Sequence, residues 1–292
     1  MSDHATAVTP IDIPVRHMGF AFPEDLPRHW CGGDPFETHL LNALSLTFPI
    51  GEKQFIDSVR AFADQITDAQ LKDDVRAFVG QEMQHSREHQ AFNDWIASLG
   101  LPAAYVENDI KQRIARTNKI FKPIHQLAVT CALEHFTAIM AEAFLTNPEL
   151  LAEFDERVRT MWVWHAIEET EHKSVAFDVF EHVGGEYSTR VWTMMLITFL
   201  FIRNQTHFHR TLMKADGELF NVKSWARGLY KYWGPKGVFT KLAPAYLAYY
   251  RRDFHPWQHD NRELVARYKR EVEAKAKRVV PQATKAEARR AA

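Results

Sequence analysis

The chain has 292 residues, 46% of them hydrophobic and 25% charged, with a formal net charge of −1. That balance suits one large globular domain, or a domain with an extension, and excludes a global field that would gather nucleic acid or an acidic membrane. Two cysteines, Cys31 and Cys131, offer neither a disulfide framework nor thiolate metal spacing, which fits a reducing cytoplasm.

Glycine is scarce and strand-like alternation nearly absent, so the chain reads as all-α. Residues 1–33 carry Pro10, Pro14, Pro23 and Pro27 and read as an irregular segment wrapping the body; residues 1–16 lack the pattern of a secretory signal. A first helix is expected from an Asp34 cap through Pro35 to about Ile66, kinked or restarted at Phe48-Pro49-Ile50-Gly51. A second begins at a capping box, Thr67-Asp68-Ala69-Gln70, and ends at Leu99 before Gly100 and Pro102. Residues 101–119 form a mixed connector. The third helix is expected from Pro123 to Thr146, and the fourth from an Asn147 cap and Pro148 to Gly184-Gly185. Short, long and short connections are the order of a ferritin-like four-helix bundle, assigned to residues 34–186.

Residues 187–258 read as a helical extension packed on the bundle, with a fifth helix over 187–214 and shorter ones over 221–252 broken at Gly234-Pro235. The longest apolar run, residues 191–202, is too short to span a bilayer and is expected to be a buried core helix. Residues 223–257 interleave Trp and Tyr with Lys and Arg, which suits an amphipathic cover better than a membrane-surface element. His207 and His209 flank Phe208 on different helix faces and receive no metal role. Phe254-His255-Pro256-Trp257 reads as a packing staple, and residues 259–292 as a charged, exposed helix giving way to disorder.

The two hairpins repeat one chemical pattern, a Glu on one helix followed by Glu-x-x-His on the next. The residues are Glu52 with Glu82 and His85, then Glu134 with Glu169 and His172. Positions i and i+3 share a helix face, so each Glu and His pair can reach one ion while the other carboxylates bridge two. Each of these residues lies in an apolar stripe, where an unpaired carboxylate is expensive. Oxygen and imidazole donors without thiolate suit iron or manganese better than structural zinc. His165 sits one turn before Glu169 and makes a seventh candidate ligand. His89 reads as a support or pocket wall, and Glu168 as an edge residue that could replace Glu169. Thr130, Cys131, Thr137 and Ala138 are small neighbours of Glu134 that leave room for O₂ and substrate.

The motifs Arg16-His17-Met18-Gly19-Phe20, Pro27-Arg28-His29-Trp30, Phe48-Pro49-Ile50-Gly51-Glu52, Glu82-Met83-Gln84-His85 and Phe254-His255-Pro256-Trp257 resemble those of a bacterial family catalogued as predicted metal-dependent hydrolases, over about residues 12–260. The ligand set is also similar to that of p-aminobenzoate N-oxygenase-type di-iron enzymes, in which an additional histidine precedes the second Glu-x-x-His. That resemblance implies Glu52, Glu82, His85, Glu134, His165, Glu169 and His172 as ligands; the proline and glycine just before Glu52 depart from the general ferritin-like pattern.

Three functions compete. The favoured one is a di-iron oxygenase or oxidase that takes O₂, electrons from a donor and a small apolar or aromatic substrate, because a buried, aromatic-walled site suits oxygen chemistry. The second is a two-metal hydrolase, as the family label states, with manganese, mixed iron and manganese, or zinc as alternatives to two irons. The third is a non-enzymatic metal-binding protein. A cytoplasmic setting is expected, a homodimer is compatible, and no nucleic acid or transmembrane segment is expected.

Overall fold

The computed structural model describes residues 11–270 and 272–274. Among these residues the chain is all-α, with an isolated bridge between Cys31 and Phe154 and no strand.

Helix α1 (Pro35–Arg60) begins as expected, with the Asp34 side chain accepting from Glu37 N–H and Pro35 in the first turn. It continues through Pro49, so the expected restart is absent, and it stops at Arg60 ahead of a 3₁₀ turn over Ala63–Gln65, short of Ile66. Proline has no N–H to offer the carbonyl of residue i−4, here Ser45. Asn93, on α2 (Ala69–Ser98), fills that gap by donating from Nδ2 to Ser45 O at 3.2 Å. Removing this amide strands a buried acceptor, so Asn93→Ala is expected to lower stability by about 1–3 kcal/mol in urea unfolding with helix content retained.

The α2 cap is Asp68, accepting from Leu71 N–H, and not the Thr67 of a capping box; Thr67 instead meets His182 Nε2. The connector is itself a helix, α3 (Ala103–Ile120), which buries little besides Ala103 and Val106. Next comes α4 (Pro123–Leu145), matching the third expected helix. It is long and apolar enough to cross a membrane, and 78% of that stretch is buried inside the protein. Burial at the centre of the bundle accounts for its apolarity.

The fourth expected helix is three pieces: α5 (Pro148–Ala152), α6 (Glu156–Glu171) and α7 (Val175–His182). Asn147 makes no side-chain cap because its amide donates back to Ala143 O. The chain breaks again where Phe154 bridges to Cys31, and Asp155 provides the cap that starts α6. The pairs α1–α2 and α4–α6 pack together, with α7 against α2 and α4.

Helices α8 (Tyr187–Ala215), α9 (Val222–Trp233) and α10 (Ala243–Ala248) follow. The apolar run on α8 is not a buried core helix. Met194 and Ile197 are buried against α4, but Trp192, Phe199 and Ile202 are 70%, 63% and 60% exposed. Residues 262–270 and 272–274 are helical and docked, with Val265 and Val272 buried and Tyr268 bonded to Leu145 O, so the described part of the tail is not a solvated helix. The disorder expected beyond it, and residues 1–10, lie outside the described residues.

Residues 11–33 form no helix and lie against the helices. At Gly80 a Cβ would meet Val15 Cγ2 at 2.5 Å, so the missing side chain lets this strap lie on α2. Gly19, at φ 64°, turns its own N–H and that of Phe20 onto the Glu88 carboxylate at 2.9 and 2.7 Å. Further along, Arg28 and His29 meet Asp216 at the end of α8, and His39 of α1 joins them at 2.8 Å. Burial works against the Asp216 charge, but hydrogen bonds from His39, His29 and Arg28 hold its pKa well below the usual range. Its contribution to stability is therefore complete above an ordinary Asp pKa of about 4 and is lost as pH falls from there toward the lowered folded value. The stability gap between wild type and Asp216→Asn is expected to shrink over that acid range in pH-dependent denaturation.

Candidate metal centre

Four helices bring the expected carboxylates together: Glu52 from α1, Glu82 from α2, Glu134 from α4 and Glu169 from α6, all buried. His85, His165 and the α6 C-cap His172 join them. Donor atoms of Glu52, His85 and His165 lie within 4.8 Å of one another, as do those of Glu82, His85 and Glu169, and those of Glu82, Glu134 and His172. All seven candidates fall in these overlapping sets.

The carboxylates lack the partners that buried charges need. Both oxygens of Glu82 and of Glu134, with one each of Glu52 and Glu169, accept no hydrogen bond. Burial first, then neighbouring carboxylates, push Glu52 and Glu134 well above the usual range, and Glu82 upward as well. Burial opposes the Glu169 charge too, but His165, His172 and His85 around it hold its pKa down. Such a cluster calls for cations.

The imidazoles are oriented to leave one nitrogen each facing the cluster. Glu168 can only accept, so His85 donates to it from Nε2 at 3.0 Å, and Nδ1 turns to Glu169 at 3.3 Å. Gln81 commits its amide N–H to Glu171 and Pro14 O, so its oxygen accepts from His172 Nδ1 at 2.9 Å. That leaves His172 Nε2 facing Glu82 and Glu134 at 3.2 and 3.4 Å. Burial lowers the pKa of each of these two rings, but their carboxylate neighbours dominate and raise it, so protons sit where a metal would displace them.

The third orientation comes through a chain of bonds. Because Asn93 Nδ2 donates to Ser45 O, its Oδ1 accepts from the Ser45 hydroxyl at 2.8 Å. The hydroxyl oxygen then accepts from His89 Nδ1 at 2.8 Å, and His89 Nε2 accepts from His165 Nδ1 at 3.0 Å. His165 Nε2 is left bare, 3.3 Å from Glu169. Burial first, then the neighbouring imidazoles, lower His165 to about 3 and His89 well below its usual value, keeping both neutral. Phe48 stacks on His165 at 4.9 Å.

Glu168, expected as a possible substitute for Glu169, is engaged elsewhere. It accepts from His85, from Trp164 Nε1 at 2.8 Å and from Arg16 at 2.9 Å. Of the small residues around Glu134, Thr137 alone borders the cavity that reaches Glu52. Thr130 bonds Ser58, Cys131 donates to Ala176 O, and Ala138 lines a separate cavity on another side. Sequence reasoning missed Arg16, Ser45, Gln81 and Asn93 as supports. Gln81 directly precedes Glu82 and Asn93 lies one turn after His89, which were the available signals.

The cavity at Glu52 measures about 430 Å³, with Phe55, Leu133 and Phe136 among its walls. A separate void of about 20 Å³ lies between Phe48, Thr137, Trp162 and His165.

A buried carboxylate–imidazole cluster at the heart of an all-α bundle defines the protein as one built for metal dependence. More narrowly, the chain belongs to the family described as predicted metal-dependent hydrolases, whose model matches residues 14–260. No curated protein and no solved structure matches the chain.

Proposed function

We propose that the protein is a two-metal hydrolase, with Glu52, Glu82, His85, Glu134, His165, Glu169 and His172 holding the ions. The observation that carries the ion site is the convergence of three imidazole nitrogens on Glu82 and Glu169, in a cluster where six carboxylate oxygens of Glu52, Glu82, Glu134 and Glu169 accept no hydrogen bond. The family description favours hydrolysis. When bound, paired divalent ions supply Lewis acidity toward water and a polarised substrate or, as iron, electrons for O₂ reduction.

The chain's own residues set the conditions. Ser86 donates to Glu52 Oε2 at 2.8 Å, orienting a carboxylate that borders the substrate cavity and leaving Oε1 free. Glu168, Gln81 and His89 hold the protons on the outer nitrogens of His85, His172 and His165, so His165 presents a lone pair inward and the other two rings would do so once an ion displaces their inner protons. Phe48 and Trp164 exclude water from two of these rings.

An oxidative di-iron reading is favoured by one feature, the apolar void beside His165, whose size suits about one small molecule such as O₂. Two preparations separate the readings. Protein loaded with Mn(II) or Zn(II) under nitrogen is expected to cleave members of an ester and amide panel. Protein loaded with Fe(II) and given O₂ is followed with an oxygen electrode. Stoichiometric O₂ uptake, with no cleavage by any metal form, would replace the hydrolase by the oxidase.

A further inference from the structure

The cavity at Glu52 has two chemically different ends. Its inner end is Glu52, 2% exposed, among Phe48, Phe55 and Leu133. Its outer rim carries Arg113 and Arg116 of α3 and Arg203 of α8. Glu52 is the carboxylate in the lining, so positive charge dominates the rim.

The rim guanidiniums are arranged rather than scattered. Asn204 Oδ1 accepts from Arg113 Nη1 at 3.3 Å and from Arg203 Nη2 at 3.2 Å, tying the two helices' arginines to one point. Asp109 neutralises Arg113 through its Nε, at 2.6 Å. Arg203 bonds Asn204 and no carboxylate among the described residues, and Arg116 has no carboxylate partner among them either. Two guanidiniums without a carboxylate partner among the described residues thus line an apolar cavity, a pairing of charge and apolar wall suited to a molecule that carries a carboxylate or phosphate. The outer face of the same part of α8 exposes Phe199 and Ile202.

We infer that the substrate of this site is an anionic amphiphile, seated with its charged head on Arg116 and Arg203 and its apolar chain running inward to Glu52. The inference rests on the metal-centre reading for where reaction occurs, and it places the reacting bond at the end remote from the anion. It holds for hydrolysis or oxidation alike. Molecules with the anion next to the reacting bond are poor substrates, since seating the head at the rim carries that bond away from Glu52.

Binding can be read without turnover. The full chain, metal-loaded and metal-free, is titrated calorimetrically with dodecanoate, dodecyl phosphate, dodecanol and dodecyltrimethylammonium. Dodecanoate and dodecyl phosphate are expected to bind more tightly than dodecanol, with the cation weakest. The double variant Arg116→Gln/Arg203→Gln is expected to weaken binding of both anions by roughly tenfold, leaving dodecanol affinity and metal content unchanged. Leu200→Trp, with its fold checked by circular dichroism, is expected to weaken every probe by filling the cavity. Equal affinity for dodecanol and the anions, or unchanged anion binding by the double variant, would overturn the proposal. Loss of metal binding with the anion preference intact would sink the metal reading alone.

Discussion

Glu134→Gln and Glu169→Gln are each expected to reduce bound metal below two ions per chain, measured by plasma mass spectrometry after dialysis. Both keep side-chain volume, so stability differences report charge. Their metal-free forms should diverge in sign. Glu134 has both oxygens without hydrogen-bond partners among other carboxylates, and its burial opposes its charge. Neutralising it relieves the metal-free protein, whose Tm is expected to hold or rise. Glu169 faces His85, His165 and His172, so neutralising it removes their shared acceptor and lowers Tm. In wild type, metal at about a thousand times Kd adds about 4 kcal/mol of stability, and each variant should lose much of that increment. Full metal content in both variants would show that the ions bind elsewhere.

Arg16→Met is expected to be among the most damaging single changes outside the ligands. Arg16 is 6% exposed and bonds Glu168 at 2.9 Å and Glu171 at 2.7 and 2.8 Å. Removing it leaves two buried carboxylates facing each other, with Lys269 at 3.3 Å from Glu171 as partial compensation. Breaking a buried pair from one side typically costs about 3–5 kcal/mol, and that range is expected in guanidinium unfolding. Glu168 also fixes His85, so metal affinity should fall about 10–100-fold. A variant with wild-type stability and affinity would remove the strap from the account of the site.

The seven clustered residues were readable because helix periodicity places i, i+3, i+4 and i+7 on one face, and a carboxylate amid apolar residues is conspicuous. Glu168 was ambiguous for the same reason, since it adjoins the stripe edge. Its role needs Arg16, some 150 residues away in sequence, and only the folded strap brings the two together. Helix α3 was hidden because it buries few apolar residues, leaving propensity without periodicity. The fourth helix looked continuous because its breaks come from tertiary contacts, such as the Cys31–Phe154 bridge, that local sequence does not announce. On α8 the apolar run suggested burial, but hydrophobicity does not say which face is covered.

Pro49 carries a consequence beyond its helix. By withholding one backbone hydrogen it makes Asn93 commit its amide to Ser45, and that commitment sets the direction of every proton from Ser45 through His89 to His165. A ring closure on one helix therefore selects a tautomer on another, without touching it. The lone pair that His165 offers the cluster is written into the backbone of α1, in a residue that no inspection of ligands would include.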